Sequence, residues 1–418
     1  MPMDIKNPFK KNKEEGQPEI LSQAPVPNEN NIRIIVFGVA LVVILLIAGI
    51  WYVMGAPGAS ENVKRSIGKL PSAGDRIVPG RSGDGPLSFL KPSPTPSGNE
   101  SPLSGIACAN AKRRPMGVML ASDPINRPVS GFASADAVVE MPVLINNVTR
   151  LMALYQCQEP RELGSVRSTR HPFLYVQAGL DAVVVHWGGS YWALNMIKNE
   201  GSVYNSISAL GTGGNAFYRK SNLPAPYNGF TSYQRAWDAI TAAGYRTKTI
   251  LQPYPHVDDA AESNRGEGGT LDIGWPGAMR VRYVYNRQTN SYDRNWGGVK
   301  MVDALDNTPI SPKVLIVAHT TMNLMKQGEP YVGVGTQGSG KAEIYQNGRV
   351  IEGTWQKSEI KKEDPPHFLD ASGKQVEFVR GQLWIHYVDD ASTTVRWTPG
   401  SASPAELNTG DTPANLGG

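Results

Sequence analysis

Apolar positions along this chain fall into distinct regimes. From Ile34 to Met54 they are continuous, IIVFGVALVVILLIAGIWYVM, with no charged residue. At roughly 1.5 Å of rise per residue such a helix crosses a hydrocarbon core roughly 30 Å thick. Trp51 and Tyr52 stand near its outer end, where amphipathic rings favour the headgroup layer. Far beyond it come short runs of strand length: Met116–Ala121, Ala137–Val143 and Val148–Cys157. His171–Gly179 reads as a helix, with Ser168 or Thr169 as cap and Pro172 in its first turn. Leu180–His186 reads as a strand whose Val183-Val184-Val185 core predicts burial on both faces. Ser190 offers a cap for a second helix from Tyr191 to about Asn199. Thr231 or Ser232 offers one for a third, stopped by Gly244. A buried strand between helices argues for an α/β layered domain over residues 101–265.

The pattern then changes. Arg280–Tyr285 alternates, Lys313–Ala318 is an apolar strand, and Gln382–Val388 closes with another. Ala342–Gln346 and Arg349–Trp355 flank Asn347-Gly348, a strong hairpin signal, and Asp370–Gly373 is a second turn. Residues 266–390 are therefore expected to form a mainly β domain, an antiparallel sheet or small barrel. Around these two bodies, residues 1–33 read as a cytoplasmic tail and 34–54 as a single transmembrane anchor. Residues 55–100 read as a Pro/Gly/Ser stalk and 391–418 as a disordered tail, because such composition buries too little apolar surface to order itself. The N-terminus is expected inside and the two domains outside the cytoplasm, the lipid bilayer being one partner through Ile34–Met54.

Charge and cysteine count narrow this picture. The 418 residues carry 41 basic and 37 acidic side chains, a formal +4. That is too weak a basic balance to imply nucleic acid. The two cysteines, Cys108 and Cys157, lie in the first domain; their spacing is not that of a metal site, and either a disulfide or two buried thiols would satisfy it. No metal and no cofactor is expected. Gly335–Lys341, GTQGSGK, has P-loop spacing, but Ala342 stands where the metal-binding hydroxyl belongs and a strand follows instead of a helix. Nucleotide binding is rejected.

The candidate chemistry gathers in the first domain. Arg167 and Arg170 precede a predicted helix, and two guanidinium groups beside helix N–H groups suit a carboxylate or phosphate. His186-Trp-Gly-Gly-Ser190 lies where a strand gives way to a helix, the end at which α/β sheets collect ligands. Trp187 offers a stacking face and His186 a proton near neutral pH. The structural alternative pairs both arginines with Glu140 or Asp136 and buries His186 as a satisfied core residue. A triad would need Ser168 or Ser190 with His186 and Asp181 or Asp123, and neither serine sits in a nucleophile elbow. Glu140 and Asp123 are the candidate acid and base for glycoside cleavage. Trp355 and Trp384 are candidate sugar platforms, although core packing would equally use them.

Several stretches resemble a known family. RPMGVMLASDPINRPVSGFASADAVVE (114–140), VTRLMALYQCQEPRELGSVRSTR (148–170), DAVVVHWGGS (181–190) and PAPYNGFTS (224–232) look like the first domain of the YerB-like bacterial envelope lipoproteins. GSGKAEIYQNGRVIEGTWQK (338–357) and GQLWIHYV (381–388) are similar to the second. The resemblance implies a cell-surface protein with the paired domains of unknown function 3048 and no established reaction. It differs in two respects: family members are typically held by a lipidated cysteine where this chain has Ile34–Met54, and the family's histidine in an Ala-Pro-His-Asn motif is here Tyr227. The polar family positions are Asp123, Arg127, Glu140, Arg150, Arg167, Ser168, Arg170, His186, Ser190, Asn228 and Ser232. With Trp187 they form the candidate site. The expectation is an anionic cell-wall glycan or peptide carboxylate bound there; a wall-modifying hydrolase or transferase using His186, or an assembly factor contacting envelope proteins, are the alternatives.

Overall fold

The structure is a computed structural model that describes residues 98–400 apart from Thr212. The expected tail, anchor and most of the stalk lie outside the described residues, as does the chain beyond Gly400. Among the described residues no helix is long and apolar enough to cross a membrane.

Strands from both sequence segments enter one mixed sheet. In chain order the strands of this sheet and its neighbour are β1 (Met116–Ala121), β2 (Ala137–Pro142), β3 (Thr149–Tyr155), β4 (Val183–His186) and β5 (Ser206–Ser208) from the first segment. The second segment gives β6 (Gly269–Ile273), β7 (Val281–Asn286), β8 (Ser291–Trp296), β9 (Val299–Lys300), β10 (Val314–Thr320), β11 (Gly338–Gln346), β12 (Arg349–Lys357), β13 (His367–Asp370), β14 (Leu383–Asp389) and β15 (Val395–Pro399). The ten-stranded sheet has the order β13-β12-β11-β10-β14-β2-β3-β1-β4-β5. β14 is its seam: it runs parallel to β2 on one side and to β10 on the other. β6–β9 and β15 make a separate antiparallel sheet of five strands.

The period-2 pattern explains the layering. β2, β3 and β14 bury every residue, so alternate side chains serve two cores. Val138, Leu151 and Trp384 face Leu271, Ile273, Tyr283 and Trp296 of the five-stranded sheet. Val139, Met152 and Ile385 join Phe173, Leu174 and Ala193 of the helices instead. Those helices are α1 (His171–Gly179) and α2 (Tyr191–Asn199); α3 (Tyr233–Ala242) packs into the first core. Cys108 and Cys157 are joined in a disulfide, which settles the pairing that spacing left open.

Several expectations need correction. Arg170, not Ser168 or Thr169, is the N-cap of α1, and no side chain caps it. The second segment divides between two sheets rather than closing on itself. Order also runs past Ala391: β15 pairs with β6, because Trp397 packs on the core between the outward positions Arg396 and Thr398. Glu100, assigned to the stalk, bridges to Ala107 and accepts a hydrogen bond from Arg380.

Candidate functional site

β1 and β4 run parallel only as far as Val118 and Val185. Beyond that point residues 165–169 lie between them. On one side Ala121 N–H donates to Ser165 O and Arg167 N–H to Met119 O; on the other Trp187 N–H donates to Arg167 O and Thr169 N–H to Gly188 O. Arg167, Ser168, Thr169 and Arg170 are thus held at the carboxyl ends of two parallel strands, directly before α1. Arg150 enters from the start of β3, opposite Ala121 of β1 and Met141 of β2. It alternates with Leu151, which faces the five-stranded sheet, so its side chain lies on the helix side.

Three arginines therefore meet. Arg150 is 5% exposed, and among the described residues its side chain makes no hydrogen bond or ion pair, with Nε and Nη1 buried without a partner. Burial first, and the charges of Arg167 and Arg170 second, push its guanidinium down to about 9. Asp123 is the carboxylate that acts on it, but without ion-pair contact, and Asp123 Oδ2 is itself buried and unpartnered. Arg167 donates through Nη1 to Pro226 O at 2.9 Å and lies 4.7 Å from the Tyr227 ring centre. Arg170 donates to Thr169 O and lies 5.1 Å from the Tyr331 ring. Burial lowers the Arg170 guanidinium too. The Nε of both is buried and unsatisfied, as is Thr169 Oγ1. A buried donor without an acceptor costs about 1–3 kcal/mol, and a buried charge without its counterion costs several more.

His186 ends β4 at 1% exposure. Its Nδ1 lies 2.6 Å from Gly188 O, an arrangement that makes Nδ1 the protonated nitrogen and Nε2 a free acceptor. Burial pushes the imidazole down to about 4, so it is neutral at physiological pH. His171, at the start of α1, is likewise pushed down to about 4 by burial and by Arg170.

The remaining sequence candidates have other posts. Glu140 sits on the opposite face of the sheet, where Arg294 Nη2 donates to it at 2.8 Å and Thr149 Oγ1 at 2.9 Å. Burial alone would raise its carboxyl, but Arg294, His386 and Thr149 together hold it below the usual carboxylate range. It is the partner of Arg294 rather than of Arg167 or Arg170, and its carboxyl is held toward the ionised form. Arg127 turns to that side as well, 3.8 Å from the Trp296 ring with Nη2 donating to Ser122 O. Asp181 is held by Arg114 and Arg246 before β4 begins, and His186 Nδ1 faces Gly188 O, so among the described residues neither Asp181 nor Asp123 orients the imidazole as a triad would need. Ser168 Oγ donates to Trp187 O, and Ser190 caps α2 by accepting from Ala193 N–H. Ser232 caps α3. Asn228 accepts from Arg219, whose guanidinium lies 4.3 Å from the Trp187 ring. Trp187 is packed against Phe217 rather than free for stacking. Trp355 and Trp384 are core residues whose indole N–H groups donate to His319 O and Gln382. Among the described residues no group of His, Cys, Asp and Glu side chains could hold a metal. The sequence offers Thr169 only as a helix cap and Tyr227 only as a departure from the family histidine, and it gives no signal for Tyr331, because an aromatic side chain on a separate loop carries no periodic pattern.

These features define a class: a three-layered, strand-rich protein with an arginine cluster at the carboxyl ends of parallel strands. Residues 103–246 match the N-terminal domain, and residues 271–385 the C-terminal domain, of a protein of unknown function (DUF3048). The chain belongs to this YerB-like family. It is 28% identical over 295 residues, 70% of this chain and 86% of the relative, to the Bacillus subtilis protein named "Putative lipoprotein YerB". The crystal structure of Bacillus subtilis YerB is similar at a TM-score of 0.63 and 25% identity, over 71% of this chain and 99% of that one.

Proposed function

We propose that this protein is a membrane-anchored, extracytoplasmic binding protein whose arginine cluster holds an anionic ligand of the cell envelope, a wall glycan or a peptide carboxylate. One observation carries the reading: Arg150 is buried beside two more arginines with no ion pair among the described residues to offset them. An anion that accepts from the free Nε–H groups would remove that cost, whereas a purely structural arginine would be expected to have its carboxylate already. Location rests on Ile34–Met54, on the Bacillus subtilis relative being named a lipoprotein, and on the disulfide, a bond favoured outside the reducing cytoplasm.

The test is binding of purified peptidoglycan fragments to the full-length protein. Arg167→Ala combined with Arg170→Ala is expected to abolish binding while leaving the melting temperature similar. Undiminished binding by the double variant removes the arginine site. The hydrolase reading has one point in its favour, the free Nε2 of His186; but that ring has no carboxylate to orient it, and new products in a mass-spectrometric digest would be needed to revive it.

A further inference from the structure

We propose that the arginine site takes an amphiphilic phosphate monoester, its dianionic head among Arg150, Arg167 and Arg170 and its apolar arm on Leu194 and Leu210. This deepens the anion-binding reading above and rests on it.

Charge selects the head. The three guanidinium groups carry a formal +3 and Asp123 a formal −1, while the imidazole beside Arg170, that of His171, is pushed down to about 4 by burial and is neutral at pH 7. A residual charge of about +2 matches a phosphate monoester, which carries roughly −1.5 to −2 at that pH; one carboxylate leaves a cation uncompensated. Donor supply agrees. Each of the three arginines keeps a buried Nε–H without an acceptor, and a phosphate presents three acceptor oxygens. Asp123 Oδ2, also unpartnered, can accept from a hydroxyl on the ligand.

The arm is selected by what borders the arginines. Leu210 is 74% exposed and Leu194 42%. Leu210 covers the turn after β4: a Cβ placed on Gly188 would lie 3.1 Å from its Cδ1 and 3.9 Å from Ser168 Oγ. Leu194 covers the next residue, since a Cβ on Gly189 would meet its Cδ2 at 3.1 Å and Thr169 Cγ2 at 3.2 Å. The glycines at 188 and 189 thus stand between the exposed leucines and Ser168 and Thr169, the two residues between Arg167 and Arg170. Large apolar side chains gathered at the edge of a cationic site mark a surface that something apolar covers. A ligand with both characters fits that edge; a bare anion would leave the leucines in water.

The experiment measures binding of inorganic phosphate, hexyl phosphate and hexanoate to full-length protein held in amphipol, by titration calorimetry. Hexyl phosphate is expected to bind at least tenfold more tightly than either of the others. Leu194→Ser with Leu210→Ser should erase that advantage while phosphate affinity stays within twofold; Arg150→Gln should lose binding of both phosphates. Leu210→Gln alone, at an exposed position, serves should the double variant misfold. Equal affinity for phosphate and hexyl phosphate overturns the apolar arm, and hexanoate binding as tightly as hexyl phosphate overturns the dianionic head. In both cases the anion-binding reading survives. Failure of all three probes, with wall fragments still bound through Arg167 and Arg170, also overturns this proposal alone; loss of both kinds of binding ends the two readings together.

Discussion

Two buried arginines of this protein receive opposite treatment. Arg294 is fully buried, yet it is bonded to Glu140 and Tyr283 and lies 4.4 Å from the Trp384 ring and 5.1 Å from that of Trp296. Arg150 is almost as deep, and among the described residues its side chain has no hydrogen-bond or ion-pair partner. The first is structural and the second is held against a cost. Arg150→Met keeps the volume and removes both the dehydrated charge and its repulsion from Arg167 and Arg170. It is expected to raise stability in chemical denaturation by about 1–3 kcal/mol while destroying anion binding. A loss of stability would mean that Arg150 supports the fold. Sequence could nominate Arg150 only through a motif, because nothing in TRLMALY tells which alternate position meets solvent, helix or sheet. It misplaced Glu140 for a related reason: residue type suggested a partner for Arg167, but strand alternation sends Glu140 to the other face.

Among the elements, β4 connects sequence, burial and titration most directly. Its valines predicted a strand covered on both sides, and the strand is indeed buried throughout. That same covering dehydrates His186 at its end. The imidazole ionises near 6.5 in the unfolded chain and only near 4 when folded. Between those values the unfolded state binds more protons, so stability is complete above pH 6.5 and declines as pH falls toward 4. The decline due to His186 is at most on the order of 3 kcal/mol. Subtracting the melting curve of His186→Gln from that of the parent across pH 4–7 isolates it, since His319 is shifted upward and contributes with opposite sign. A difference that does not change with pH would show the ring to be hydrated. Local signals were read well where geometry is local: α1 and α2 have the expected bounds, and Asn347 and Gly348 adopt the positive φ that their hairpin requires. β15 was hidden because Ser, Thr and Gly around it suggested disorder, whereas its order comes from pairing with a strand more than a hundred residues earlier.

For the whole molecule, the division near residue 265 separates two family models but not two sheets. That was the least legible feature, since parallel pairing of β14 with β2 joins positions about 250 residues apart and leaves no periodic trace. Without the second segment β2 would be a bare edge, apolar on both faces, of the kind that templates aggregation. Residues 98–265 expressed alone are therefore expected in inclusion bodies, and co-expression with residues 266–400 should return them to the soluble fraction. A soluble, cooperatively melting fragment 98–265 would contradict this dependence on β14.

The seam has a temporal side. A polypeptide made from its amino end delivers β2 about 250 residues before β14. Throughout that interval the middle of the sheet stands open, and the arginines depend on a scaffold that is only half assembled. A maturing chain is thus exposed to mispairing longest at the place where its finished form is most enclosed.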